Sequence, residues 1–323
     1  MTSDDTAAIS PSPQPSPRPP GEGGGWHGWL VIDKPEGMTS NRAVTIVRRA
    51  TGAKTGHAGT LDPFATGVLP IALGEATKTV RFASEGHKRY RFTVRWGVGT
   101  DTEDREGTVT AESPARPSED AIRATLPRFL GTILQRPPVF SALKVDGRRA
   151  YKLARAGKPP ELAPRPVEIM ALNLLGTPDL DHAEFTAEVG SGTYVRALAR
   201  DLAEALGTVG HVTALRRTEV GRFTEALAIS LDSLALLGHS PAASEHLLPL
   251  EFVLDDIPAL VLTADEVARL RHGQQVTPRD PRERAQLDRL DEGTIVGARH
   301  DQLLIAVARI ENGCLRPVRI INR

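Results

Sequence analysis

Cysteine is almost absent from this chain of 323 residues, where Cys314 stands alone. A single thiol closes no internal disulfide and cannot supply the thiolate set of a structural zinc site, so a reducing, cytoplasmic setting is expected. Long hydrophobic runs are missing too: no unbroken apolar stretch approaches the ~18 residues of a membrane span. The N-terminus lacks the basic start and apolar segment of a secretory signal. Net charge of one sign is also absent, with 40 Lys+Arg against 40 Asp+Glu. That balance speaks weakly against a polyanionic partner, yet a basic patch can sit inside a neutral total. The sequence carries no internal repeat.

What is present is ordinary for a water-soluble globular protein, 40% hydrophobic and 25% charged. The length predicts about two domains. Positive charge is segregated: from Arg42 to Arg95 ten Lys/Arg face three acids, and from Arg136 to Arg165 eight face two. Residues 1–24 are Pro/Ser/Gly-rich with little to bury, which predicts a disordered tail. Trp26, Trp29, Leu30, Val31 and Ile32 then open the folded part as a buried strand, ended by the turn-forming Lys34-Pro35-Glu36-Gly37. Ser40 is expected to cap a helix that carries Ala43, Val44 and Val47 and stops at Gly52.

Residues 68–73 form an apolar run expected to be a central strand, although Pro70 is unfavourable there. Tyr90, Phe92, Val94, Trp96 and Val98 alternate with Arg91, Thr93 and Arg95, the period-2 pattern of a strand with one packed and one cationic face. Ser118 begins a helix interrupted by Pro127. A strand is expected through Phe185, Ala187 and Val189, and a helix from Thr193 to Gly207. The order of elements follows no strict βαβ rhythm, so the fold class is α+β with a mixed sheet. After a looser connector from Gly238 to about Pro258, Thr263 and Glu266 have the spacing of a capping box, and three strands are expected at 294–298, 303–310 and 315–321. The charged stretch Arg279–Arg289 between them is expected to be a loop.

The most informative stretch is Gly56-His57-Ala58-Gly59-Thr60-Leu61-Asp62-Pro63-Phe64-Ala65-Thr66-Gly67-Val68-Leu69. Its glycines permit close backbone approach or positive φ, and Pro63 biases Asp62 toward extended geometry. Such a loop can present one carboxylate. By itself it also fits a turn in which the aspartate bonds its own backbone. A phosphate-binding P-loop is excluded, because Gly52-Ala53-Lys54-Thr55 lacks a glycine five residues earlier, where Val47 stands. His57 and Asp62 have no ligand-type residue nearby in sequence, so no metal is expected. Glycoside hydrolysis normally needs two carboxylates, and Asp62 is the only acid from residue 37 to 74; a second could still arrive through folding.

Residues 29–82, which hold this stretch, closely resemble the catalytic core of the TruB family of tRNA pseudouridine synthases. The resemblance continues through Lys88-Arg89-Tyr90, Gly99-Thr100-Asp101-Thr102, the block from Arg136 to Lys144, Gly192-Thr193-Tyr194-Val195-Arg196 and Leu215-Arg216-Arg217, in family order. It implies a pseudouridine synthase fold: a central mixed, mainly antiparallel sheet flanked by helices over residues 25–255, and a small β-rich PUA-like RNA-binding domain over 256–323. It also implies isomerisation of uridine 55 in the T arm of tRNA, with no cofactor. Position by position, Asp62 matches the essential aspartate, Tyr90 the base-stacking tyrosine and Arg196 the arginine paired with the aspartate. His57, Gly59, Thr60, Lys78, Tyr194 and Leu215 match positions around the flipped nucleotide. Residues 136–165 resemble a mobile basic loop that clamps RNA, which places Lys144, Arg148, Arg149 and Lys152 on the backbone, and Arg216 and Arg217 are expected on phosphates. A rival reading is a tRNA-folding chaperone without catalysis, and another is an N-ribosyl hydrolase that releases uracil. A monomer is expected.

Overall fold

The alternating segment forms a strand, Lys88–Trp96, in which Lys88, Tyr90, Phe92, Val94 and Trp96 are buried while Arg89, Arg91 and Arg95 are exposed. It lies near the middle of the principal sheet of the structure, a computed structural model that describes residues 25–145, 147–237 and 245–322. Its neighbours, Gly210–Val220 and His182–Val189, both run antiparallel to it. Phe92 pairs with Leu215 on one side and Phe185 on the other, and the Phe92 and Phe185 rings stack with centroids 5.3 Å apart. Cross-strand aromatic contacts of this kind fix the register, since a slip of one residue would bring arginines into the core.

From edge to edge the sheet runs Ala228–Ile229, Gly28–Lys34, Thr66–Leu73, Gly210–Val220, Lys88–Trp96, His182–Val189, Arg165–Gly176 and Gly131–Gln135. Two pairings are parallel, Gly28–Lys34 with Ala228–Ile229 and Thr66–Gly67 with Arg216–Arg217; the other pairings are antiparallel. The sheet is therefore mixed and mainly antiparallel. Pro70 sits inside a strand after all. Its carbonyl accepts from Ala58 N, so its missing N–H faces the same side, where the short strand Thr55–His57 has ended and no ladder bond is needed.

Several local expectations need correction. The helix Ser40–Thr51 is capped by Thr39, whose side chain accepts from Arg42 N; the buried Ser40 hydroxyl serves the loop that carries Asp62 instead. Gly52 ends that helix at φ 66°, as its position predicts. The helix expected from Thr193 spans Val195–Ala205, because Tyr194 has extended geometry (φ −108°, ψ 116°) and stands as its N-cap, its free N–H taken by the Gln135 side chain. The expected loop Arg279–Arg289 contains a helix, Pro281–Leu287, with Asp280 as N-cap and Pro281 at its first turn. That start signal outweighs the charge of the segment.

The C-terminal unit is a four-stranded sheet in the order Ala259–Val261, Ile295–His300, Leu303–Glu311, Cys314–Ile320, with the Thr263–Glu266 capping box formed. It shares a hydrophobic cluster with the larger sheet, in which Leu304, Val307 and Ile321 pack with Trp29, Val31, Phe223 and Leu250. Polar contacts reinforce this junction. Lys78 Nζ donates to Ile320 O at 2.8 Å, and Glu75 accepts from Asn322 N at 2.6 Å. Lys78 is thus committed to the junction and does not line the cleft described below, a correction to the expectation that placed it by the substrate. Among the described residues no helix is long and apolar enough to cross a membrane.

Candidate active site

The motif loop is built before it is functional. The Ser40 hydroxyl donates to Leu61 O (3.0 Å) and accepts from Leu61 N (2.9 Å), so one side chain satisfies both backbone groups of the residue before Asp62. On the other side of Asp62, Pro63 O accepts from the fully buried Lys34 Nζ at 3.1 Å, and the same ammonium donates to Pro35 O and Met38 O. Two anchors from the first strand and the first helix therefore pin the aspartate. Fixing the carboxylate in advance avoids reorganisation at the moment of reaction.

Asp62 stands at the floor of a cleft of about 470 Å³, whose walls include Thr60, Tyr90, Ser141, Tyr194, Arg196 and Leu215. About one third of its side chain (32%) is accessible, against 4% for Arg196. Arg196 Nη2 donates to Asp62 Oδ1 at 3.1 Å and its Nε lies 2.9 Å from Oδ2. The same guanidinium donates to Thr102 O (2.8 Å) and Phe140 O (2.9 Å), and lies 3.3 Å from Oδ2 of Asp104, a second buried acid. Burial pushes the Asp62 carboxyl above the ordinary carboxylate range; Arg196 pulls it back down and Asp104 adds to the push. The result is a poorly solvated carboxylate with a cation in contact, a stronger base than a surface aspartate yet one that can carry charge.

Tyr90 and Tyr194 bracket this centre from different elements. Tyr90, 8% exposed, projects from the central strand, and its hydroxyl interacts electrostatically with the guanidinium of Arg217. Tyr194 caps the Val195–Ala205 helix, with the Arg165 guanidinium 5.5 Å from its ring centroid. Leu215 adds an apolar wall. An aromatic face, an apolar wall and hydrogen-bonding edges suit a flat, extruded base.

A family model described as the N-terminal domain of TruB family pseudouridylate synthase matches residues 47–195, and one described as the tRNA pseudouridylate synthase B C-terminal domain matches 196–255. A protein of Bradyrhizobium diazoefficiens named tRNA pseudouridine synthase B is 54% identical over 302 residues, covering 92% of this chain and 86% of that one. The chain belongs to the TruB family. A relative of the same name from Caulobacter vibrioides is 52% identical, covering 91% of this chain and 96% of its own. The TruB-type fold extends further: a chain from the structure titled "Crystal structure of the archaeal box H/ACA sRNP Nop10-Cbf5 complex" superposes with a TM-score of 0.69 at 23% identity, covering 92% of this chain and 86% of that one.

Around this TruB-family cleft the other expected site residues divide. Asp62, Tyr90, Arg196, Gly59, Thr60, Tyr194 and Leu215 come together, and so do Lys144 and Arg149. His57 lies behind the motif loop, outside the cleft lining; burial and then Arg217 push its pKa down, which keeps the ring neutral. Arg217 also lines the cleft, from beneath its surface. It is 1% exposed and donates to Val68 O (2.9 Å) and Gly59 O (3.0 Å), so these carbonyls hold its guanidinium inside the protein and not on the outer surface. Its neighbour Arg216 points the other way, toward a second pocket of about 240 Å³, and is paired with Asp33 and Glu225. The basic segment 136–165 is more structured than a bare loop. Lys144–Val145 pairs with Arg148–Arg149 as a hairpin and Ala150–Arg155 is helical, with Lys144, Arg148, Arg149 and Lys152 exposed. Residue 146 lies outside the described residues, as do the tail 1–24 and 238–244 of the connector.

Sequence reasoning missed Asp104, Lys34, Ser40 and Lys88. Asp104 lies two residues beyond the block Gly99-Thr100-Asp101-Thr102, and only its burial (4% exposed) and its contact with Arg196 single it out. Among the described residues no three His, Cys, Asp or Glu side chains gather in a way that could hold a metal ion.

The two buried lysines carry a pH prediction. Burial pushes Lys34 down to about 8, and burial with Arg217 does the same to Lys88, from 10.5 in both cases. Between about pH 8 and 10.5 the unfolded chain therefore binds more protons than the folded one, and unfolding free energy rises with pH. Each lysine contributes a slope of about 1.4 kcal/mol per pH unit in that window. Urea unfolding at pH 7.5 to 10 is expected to give a shallower rise for Lys34→Met and for Lys88→Met than for the parent protein; parallel slopes would refute the burial of these charges.

Proposed function

We propose that this protein isomerises uridine 55 in the T arm of tRNA to pseudouridine, with Asp62 as the residue at the centre of the chemistry. The observation that carries the reading is the Asp62 carboxylate held by Arg196 at the floor of a cleft walled by Tyr90, in a chain whose relatives at 52–54% identity are named tRNA pseudouridine synthase B. In the reaction the C1′–N1 bond breaks, the uracil turns, and C5 bonds to C1′. The C5 hydrogen leaves as a proton and N1 gains one, so atoms balance without a cofactor.

The target base lies in folded RNA and must be extruded before a side chain can reach C1′. Tyr90 then supports the base, with Tyr194 and Leu215 closing the cleft, and His57, Gly59 and Thr60 shape the motif loop beneath. Whether Asp62 adds to the sugar or removes the C2′ proton, it acts as an anion, which is what the Arg196 contact sustains. The hairpin bearing Lys144, Arg148 and Arg149, with Lys152 on the following helix, grips the T-arm backbone, and the C-terminal domain serves as a PUA-like holder of the acceptor side.

Tritium release from tRNA labelled with [5-³H]uridine, combined with carbodiimide mapping, tests the assignment. Release confined to position 55, with the RNA mass unchanged, is the expected result; release of free uracil or no reaction on unmodified tRNA would overturn it. The grip has its own check. Replacing Lys144, Arg148 and Arg149 with Gln is expected to weaken tRNA binding and flatten the plot of log affinity against log salt by about 2, at roughly 0.7 per lost phosphate contact. An unchanged slope would remove the hairpin from the RNA interface.

A further inference from the structure

Lys88 is a buried cation for which the chemistry above has no use. It is 8% exposed, lines the cleft, and precedes Tyr90 by two residues on the same face of the strand. Its Nζ donates to Ser84 O (2.8 Å) and Gly86 O (2.7 Å), which leaves one N–H of the ammonium uncommitted to these carbonyls. Arg217 lies close enough to repel it. Neither cation forms an ion pair with a described carboxylate, and Arg217 spends its hydrogen bonds on two carbonyls.

Asp62 attracts Arg217 from a distance without contacting it, so two neighbouring buried cations lack an anion in contact; that is costly, and an anion entering the cleft beside them would relieve the cost. The adjoining part of the lining contains Thr60, Ser84, Ser191 and Gly192, small or hydroxyl-bearing residues without a carboxylate. Gly59 completes it at φ 81°: a Cβ there would stand 3.2 Å from Arg217 Nη1 and 3.7 Å from Lys88 Cε. Lys88 and Tyr90 are roughly 7 Å apart along the strand, about the step from a base to its own backbone. We propose that Lys88 anchors a backbone phosphate directly flanking the extruded uridine, with Arg217 behind it as a fixed source of positive potential.

The inference rests on the RNA reading of the cleft and adds which part of the nucleotide its second end receives. The test uses the full chain and unmodified tRNA in which the phosphate on the 5′ or the 3′ side of the target uridine is replaced, one at a time, by an uncharged methylphosphonate. Binding and single-turnover conversion are measured for the parent protein, Lys88→Met and Lys88→Arg. One of the two neutral linkages is expected to weaken the parent's binding roughly 10- to 100-fold, the range for a hydrogen bond to a charged group. Lys88→Met should show a similar loss on all-phosphate tRNA and less than about 3-fold further loss at that linkage, while Lys88→Arg keeps the parent's sensitivity.

If Lys88 merely braces the Ser84–Gly86 turn, the two penalties multiply, and that outcome overturns the proposal. Indifference of the parent protein to both linkages overturns it too, whatever the variants do, so a folding defect in Lys88→Met leaves the test intact. Conversion of all-phosphate tRNA by the parent protein separates this question from the function itself. If that conversion is absent the synthase reading fails, whereas the binding comparison still decides the role of Lys88.

Discussion

Asp62→Asn is expected to abolish tritium release, with a loss of at least about 10⁴-fold in single-turnover rate, the scale seen when a nucleophile or base is removed from an enzyme. tRNA binding should stay within about 3-fold of the parent protein. The asymmetry follows from the geometry. The carboxylate is held by Arg196 in the floor of the cleft, while the exposed charges of the hairpin Lys144–Arg149 belong to a separate part of the chain. Asparagine matches the size of aspartate and can still face Arg196, so folding is expected to survive. Retained turnover would remove Asp62 from the chemistry and leave the chaperone reading in first place; lost binding would show that its charge serves the RNA grip.

Arg196 is the second position of large effect, and here stability and activity fall together. Its guanidinium meets two carboxylates and two carbonyls while only 4% exposed. Arg196→Met would strand the buried Asp104 beside the cleft and is expected to cost about 3–5 kcal/mol in urea unfolding. Arg196→Lys keeps the charge but loses the planar fork, which no ammonium can reproduce across four partners. It is expected to fold and to convert tRNA at least about 100-fold more slowly, with tRNA binding close to normal. Near-normal conversion by the lysine variant would reduce the role of Arg196 to net charge.

The motif that carries the aspartate was legible as text because its residues are contiguous: the glycines, the Asp62-Pro63 pair and the threonines all lie within fourteen positions. The central strand was legible because alternation of aromatic and arginine residues reports directly on a two-sided sheet. The same alternation explains a failure. Arg216 and Arg217 look equivalent as letters, yet adjacent strand residues face opposite sides of the sheet, so one pairs with Asp33 and Glu225 at the surface while the other is sealed under Gly59. Lys34 and Lys88 failed for a related reason. Their burial is sustained by backbone carbonyls of turns, which leave no mark in side-chain composition.

By itself the sequence determined the glycine helix stop, the strand periodicity, the tendency of segments to turn, and the motif that marks the TruB family, since each depends on residues a few positions apart. Tertiary structure alone decided which charges meet. Asp62 and Arg196 are 134 residues apart and Asp104 joins them from a third segment. Lys78 is drawn away to the C-terminal strand, 242 residues on. Such meetings are set by strand pairing and by the cost of leaving a buried charge without a partner, and both are properties of the folded whole.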